Sequence, residues 1–265
     1  MIDKRVIIFG HSRSGSTSLF WAINMHPLMQ MLLEPFHEKR DSWGEMCKNY
    51  RKGIFSIDDL KTTLNEIYRD YNGFKTLSYQ LPKHYNEYVL REMREGKDKI
   101  VLIHRKNLLQ AVVSSQISLQ TNLWNVAERL IEVKDRGIVR SKIKQHMFHT
   151  VDSSVIREHL EEHRATGTHY KNFLIENNKT FLELTYEELF LSSRRERLKQ
   201  IRTIFEYLEL FLPHGEFMER VANRFDPKGK INDAHTYGCL PNIMEIEREF
   251  ACEKNGSVFE SFAGA

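Results

Sequence analysis

Cysteine is scarce in this chain. Only Cys47, Cys239 and Cys252 are present, odd in number and far apart. They give neither a framework of paired disulfides nor a zinc-ligand spacing, so the reading is a protein of a reducing interior. Long apolar runs are missing too. No stretch reaches the length needed to cross a bilayer, and the opening MIDKRVIIFG passes straight into a short strand-like run without signal-peptide architecture. Stable membrane insertion is therefore not expected, and the expected location is cytoplasmic. Nor is there a strong charge of one sign: 39 Lys and Arg stand against 36 Asp and Glu, a formal charge of +3. So balanced a chain is not expected to bind nucleic acid, whereas a small anion held in a local basic pocket suits it. Repeats, low-complexity tracts and a clear interdomain linker are also lacking. What is present is 41% hydrophobic residues in a chain of 265, enough for a sizeable core. The chain is read as one domain, 1–265.

The pattern of the chain predicts strands alternating with helices. Strands are expected at Arg5 to Phe9, Phe74 to Tyr79, Lys99 to His104 and Thr180 to Leu184. Helices are expected at Ser16 to Met25, from Ser56 toward Tyr71, at Tyr85 to Arg94, at Leu108 to Leu119 and from Ser193 toward Leu208. His26-Pro27 closes the first helix, because a residue before proline avoids helical angles. Ser56-Ile57-Asp58-Asp59 and Ser193-Arg194-Arg195-Glu196 have the form of capping boxes. Residues 123–177 carry long helical periodicity and are read as a helical insertion or subdomain. The alternation predicts an α/β fold, a three-layer parallel sheet flanked by helices.

The first strand leads into Gly10-His11-Ser12-Arg13-Ser14-Gly15-Ser16-Thr17-Ser18. Gly10 and Gly15 have the spacing of a phosphate-binding loop, G-x-x-x-x-G-K-[ST], but Ser16 replaces its lysine. A strand-turn-helix junction of this kind aims backbone N–H groups and a helix N-terminus at one point. Hydroxyls at Ser12, Ser14, Ser16 and Thr17 add donors, and Arg13 adds a charged planar fork. Those groups suit a tetrahedral anion. In a nucleotide triphosphatase the missing lysine would reach the β- and γ-phosphates; a ligand with a shorter anionic chain and no metal does not require it.

Arg13 to Ser18, R-S-G-S-T-S, resembles the 5′-phosphosulfate loop of sulfotransferases that use 3′-phosphoadenosine 5′-phosphosulfate (PAPS), in particular the carbohydrate and bacterial branch. The resemblance implies a P-loop-like sheet, PAPS as donor, adenosine 3′,5′-bisphosphate as product and no metal. It implies that Arg13, Ser14, Gly15, Ser16, Thr17 and Ser18 hold the 5′-phosphosulfate. Ile100 to Ser115 resembles the family's strand, arginine and following helix serine, which hold the 3′-phosphate. Here Arg105 takes the arginine's place. The common interval of eight residues lands on Val113, one short of Ser114, so Arg105 with Ser114 is the expected pair and Lys106 an alternative basic group. Gln120-Thr121-Asn122-Leu123-Trp124 resembles a segment that follows that helix in bacterial members. Leu33-Glu34-Pro35-Phe36-His37 resembles the family's E-P pair near the acceptor, which implies Glu34 as catalytic base, with His37 as rival. Gly73-Phe74-Lys75 resembles a strand whose lysine approaches the sulfonate, so Lys75 joins Arg13 among the expected catalytic groups. Thr185-Tyr186-Glu187-Glu188-Leu189 resembles a structural motif, and Lys228 and Lys230 lie in a late basic loop that implies nucleotide contacts.

The implied function is transfer of a sulfonate from PAPS to a hydroxyl, on a carbohydrate, a glycolipid or another small molecule. Three other readings stay open. An atypical kinase or nucleotide triphosphatase would use the same loop. A non-catalytic anion-binding relative would keep the fold without the chemistry. His159-Leu160-Glu161-Glu162-His163 also fits the inverted zinc pattern H-x-x-E-H, on a helix whose charge points to a solvated face.

Overall fold

Val6-Ile7-Ile8-Phe9-Gly10 is buried along its whole length, as expected of a central strand covered by helices on both faces. The computed structural model describes residues 4–37, 56–122, 146–212, 215–226 and 234–260. Among them run β1 (Val6–Gly10), α1 (Ser16–Asn24), β2 (Met31–Leu33), α2 (Ile57–Asp70), β3 (Gly73–Leu77), α3 (Lys83–Arg91), β4 (Lys99–His104) and α4 (Leu108–Thr121). There follow α5 (Ser153–Glu176), β5 (Phe181–Thr185), α6 (Tyr186–Phe190), α7 (Arg194–Tyr207), α8 (Glu216–Asn223), α9 (Ala234–Tyr237) and α10 (Ile243–Phe250). The five strands form one sheet in the order β2-β3-β1-β4-β5, all pairs parallel. The expected α/β parallel sheet is the fold.

Two helix layers sandwich that sheet. On one face Val6 and Ile8 pack with Leu19 and Ile23 of α1, Leu189 of α6 and Ile204 and Phe205 of α7. On the other, Ile7 and Phe9 pack with Leu60 and Ile67 of α2, Val89 of α3 and Tyr170 and Leu174 of α5. The described part of the expected helical insertion thus lies directly on the sheet. A third cluster joins α4 to the N-terminal half of α5 and to α10 through Val112, Val113, Ile156, Leu160 and Ile246.

The sequence pattern gives four strands, and the described residues contain five. Met31–Leu33 is three residues long and has no period of its own. Neighbours hold it: Asn24 Oδ1 accepts from Met31 N at 2.7 Å, and the Asn72 side chain accepts from Gln30 N at 2.9 Å while donating to Leu28 O at 2.7 Å. Both capping boxes form as expected, Ser56 with Asp59 and Ser193 with Glu196, and Thr185 with Glu188 makes a third. In register, Gly10 lies level with Leu77 of β3 and Ile103 of β4. Three strands therefore end together, and the loops that follow them share one edge of the sheet.

Candidate anion site at the sheet edge

The loop after β1 is shaped by two left-handed backbone positions, Arg13 at φ 60° and Gly15 at φ 82°. Gly15 is needed twice over. Few side chains adopt that φ, and a Cβ there would sit 2.5 Å from the Phe190 ring. Ser14 Oγ donates to the carbonyl of His11 at 2.7 Å and closes the turn. Among the described residues no side chain caps α1, so its first amides are left to the loop, the arrangement that favours an anion. Ser14 and Ser16 are buried, while Thr17 and Ser18 are half-buried.

Two stretches far apart in sequence meet at Arg13. Its Nε donates to Ser114 Oγ on α4 at 2.8 Å, and its carbonyl accepts from Arg105 Nη1 at 3.3 Å. Burial, with Arg105 beside it, presses the Arg13 guanidinium below its ordinary pKa, so two cations are held together where an anion between them would be stabilised. Arg105 is itself fixed. It donates to Gln110 Oε1, lies 4.2 Å over the Tyr186 ring and keeps Nε 3.9 Å from Glu187 Oε1. Glu187 also accepts from the amides of Lys106 and Asn107 at 2.9 and 3.0 Å. Tyr186-Glu187, read from sequence as structural, thus forms the bed on which Arg105 rests. Of the two helix positions, Val113 is buried in the cluster with α5, and Ser114 meets the loop. Lys106 turns away to Glu188 at 3.4 Å and is exposed.

A buried lysine lies on the strand beside β1 and reaches the loop. Lys75 of β3 is 1% exposed, and its Nζ donates to Thr17 Oγ1 at 2.9 Å. Glu34, just past β2 at φ 49°, forms a buried ion pair with that ammonium. Its other oxygen accepts from Gln80 Nε2 at 2.9 Å. Burial alone would raise the Glu34 carboxyl's pKa, but Lys75 and Gln80 together hold it below the ordinary range. His37 lies within the same turn, its amide donating to Glu34 O at 3.1 Å.

Other expected residues fall elsewhere. Gln120 pairs with the backbone of His149 through both amide atoms, at 2.9 and 3.1 Å. Trp124, Lys228 and Lys230 lie outside the described residues. His159 pairs with Gln116 at 3.2 Å whereas His163 stacks on His11, so the two histidines of the H-x-x-E-H pattern face different partners. Sequence reasoning passed over Gln80 and His11. Gln80 is a polar residue in a turn until Glu34 is placed beside it. For His11 the only signal was its position as the first residue after Gly10.

No family model matches the chain, and no curated protein matches it. Among solved structures, the mouse sulfotransferase SULT7A1 complexed with PAP aligns over 96% of this chain and 81% of its own, at 16% identity and a TM-score of 0.44.

Proposed function

We propose that the protein is a PAPS-dependent sulfotransferase, moving a sulfonate from PAPS to an acceptor hydroxyl. The observation that carries this reading is the convergence of Arg13, Arg105 and Ser114. A donor with a phosphosulfate at one end and a second phosphate a few atoms away needs two adjacent anion sites. The loop at Ser12 to Ser18 would bind the 5′-phosphosulfate through its amides, hydroxyls and Arg13. Arg105 and Ser114 would take the 3′-phosphate, and Lys228 and Lys230 would close over the nucleotide.

In the transfer, the acceptor oxygen attacks sulfur in line with the bridging phosphate oxygen. Negative charge grows on that leaving oxygen. Arg13, Lys75 and the amides of α1 stabilise it more in the transition state than in the ground state. Losing one such donor is expected to cost roughly 10²–10³ in rate. Lys75 does from β3 what a loop lysine would do, and it needs no metal partner. Glu34 is the family-implied base; its contacts give it a first role in holding Lys75 against Thr17. The branch resemblance extends the proposal to carbohydrate or glycolipid hydroxyls as acceptors.

The test is transfer of radiolabelled sulfate from PAPS to a panel of hydroxylated acceptors without added metal. Labelled product is expected, and Arg13→Ala should lower its rate by the factor above. Absence of both transfer and PAP binding, or nucleotide binding that requires Mg²⁺ and a triphosphate, would overturn the reading.

A further inference from the structure

Arg105 is held from one side by a neutral amide, its Nη2 donating to Gln110 Oε1 in the first turn of α4. A side-chain amide can serve a guanidinium in only one of its two orientations, oxygen toward it and NH₂ away. Gln110 is 1% exposed. A flipped amide would set N–H donors against N–H donors there, in a place where water does not reach to accept from them. The group that decides the orientation lies 148 positions along the chain: Gln110 Nε2 donates to Val258 O at 3.1 Å.

Val258 belongs to a turn, 252–258, that meets the start of α4 at three carbonyls. Asn255 O accepts from Leu109 N at 2.9 Å, one of the first-turn amides that a helix leaves without an internal partner. Ser257 O accepts from Asn107 Nδ2 at 2.8 Å, while Asn107 Oδ1 caps Gln110 N at 2.9 Å. Val258 O takes the Gln110 amide. The turn is itself fixed. Gly256 N donates to Cys252 O at 2.8 Å, Val258 N and Ser257 Oγ donate to Glu247 of α10, and Arg164 of α5 donates to Asn255 Oδ1 at 2.6 Å. Val258 is buried with Leu109, Val112 and Val113. Gly256 sits at φ 78°, and a Cβ there would lie 2.5 Å from Asn107 Cγ, so only glycine lets the turn approach this closely.

We infer that Gln110 is a positioning residue for the 3′-phosphate end of the donor and that the turn 252–258 sets its orientation, so that a segment remote from the anion loop aims Arg105 at the ligand. The inference rests on the sulfotransferase reading and adds to it a determinant of nucleotide affinity. Gln110 acts through Arg105. A guanidinium whose one edge is already tied to an amide oxygen loses less freedom when its other edge meets a phosphate. Asn107 and Gln110 share one arrangement: each gives its NH₂ to the turn and its oxygen to its own stretch of chain. The dependence therefore runs from the turn to Gln110, from Gln110 to Arg105, and from Arg105 to the 3′-phosphate.

The experiment measures PAP and adenosine 5′-phosphate binding by calorimetry on wild type, Gln110→Met and Gly256→Ala, and on each variant combined with Arg105→Ala. Circular dichroism on the same samples reports folding. Methionine keeps the length of glutamine and removes both hydrogen bonds. Gln110→Met should weaken PAP about tenfold, as loss of a hydrogen bond to a charged group implies. Adenosine 5′-phosphate, which lacks the 3′-phosphate, should bind it as it binds the wild type. With Arg105 already replaced, Gln110→Met should cost no further PAP affinity, because the group it positions is gone. Gly256→Ala should show the same pattern, smaller in size. General damage to the fold would instead weaken both nucleotides, with or without Arg105. That result, or wild-type PAP affinity in Gln110→Met, would overturn the inference while leaving the sulfotransferase reading standing. Failure of the wild type to bind PAP would overturn both. Should Gln110→Met not fold, Gly256→Ala decides the inference by the same comparison.

Discussion

Lys75 is a lysine shielded from water, and its neighbours explain how the fold tolerates it. A buried ammonium is costly unless paired and hydrogen-bonded; Glu34 and Thr17 do both. Removing only the lysine strands a buried carboxylate, so Lys75→Met is expected to destabilise by about 3–5 kcal/mol. The double variant Glu34→Gln with Lys75→Met should recover most of that loss, as urea denaturation will show. The stacked histidines give a second residue-scale expectation. Burial first, then neighbouring positive charge, lowers His11 to about 3 and His163 to about 4, from 6.5. Between those values and 6.5 the unfolded chain binds protons that the folded chain refuses. Their contribution is therefore fully present above pH 6.5 and falls as the pH drops toward 4. Stability measured from pH 7 to 4 should decline, and His163→Gln should flatten the slope by about one proton. Arg13, Lys75 and Arg105 were legible in the sequence because a charge beside a glycine turn or on an apolar strand is conspicuous. His11 and Gln80 were not, because what they do depends on partners 67 and 46 positions away along the chain.

Elements with their own start signals were readable. Ser56 and Ser193 open helices because each side-chain oxygen meets an amide three residues on, a purely local event. β1, β3, β4 and β5 announce themselves as short apolar runs between turns and helices. β2 does not, since three residues cannot show a period and its hydrogen bonds come from Asn24 and Asn72. Asn72→Ala is expected to destabilise by about 1–3 kcal/mol through groups left unpaired. Because β2 runs directly into Glu34, the same change should reduce transfer activity more than PAP affinity. Denaturation and calorimetry on one preparation would check both halves of that expectation.

At the scale of the molecule, strand order decides where a ligand can sit. From β1 the chain moves to one side for β2 and β3, then crosses to the other for β4. The connections leave β1 and β4 in opposite directions, and in open parallel sheets such a switch point leaves a crevice beyond the carboxyl ends of the strands. The anion loop, Arg105 and a cavity lined by Gly167 of α5 all lie there. A sequence reader could foresee the parallel sheet from its alternating elements. The void between α5 and the sheet was not foreseeable, because it depends on how a 24-residue helix lies across strands remote in sequence. The most direct measurement is calorimetric titration of the purified chain with PAP and PAPS in metal-free buffer, beside Arg105→Ala and Ser114→Ala. The account predicts one-to-one binding, weakened about tenfold or more by Arg105→Ala, as loss of a charge-assisted hydrogen bond implies, and less by Ser114→Ala. Absence of binding, or affinity indifferent to both substitutions, would contradict it.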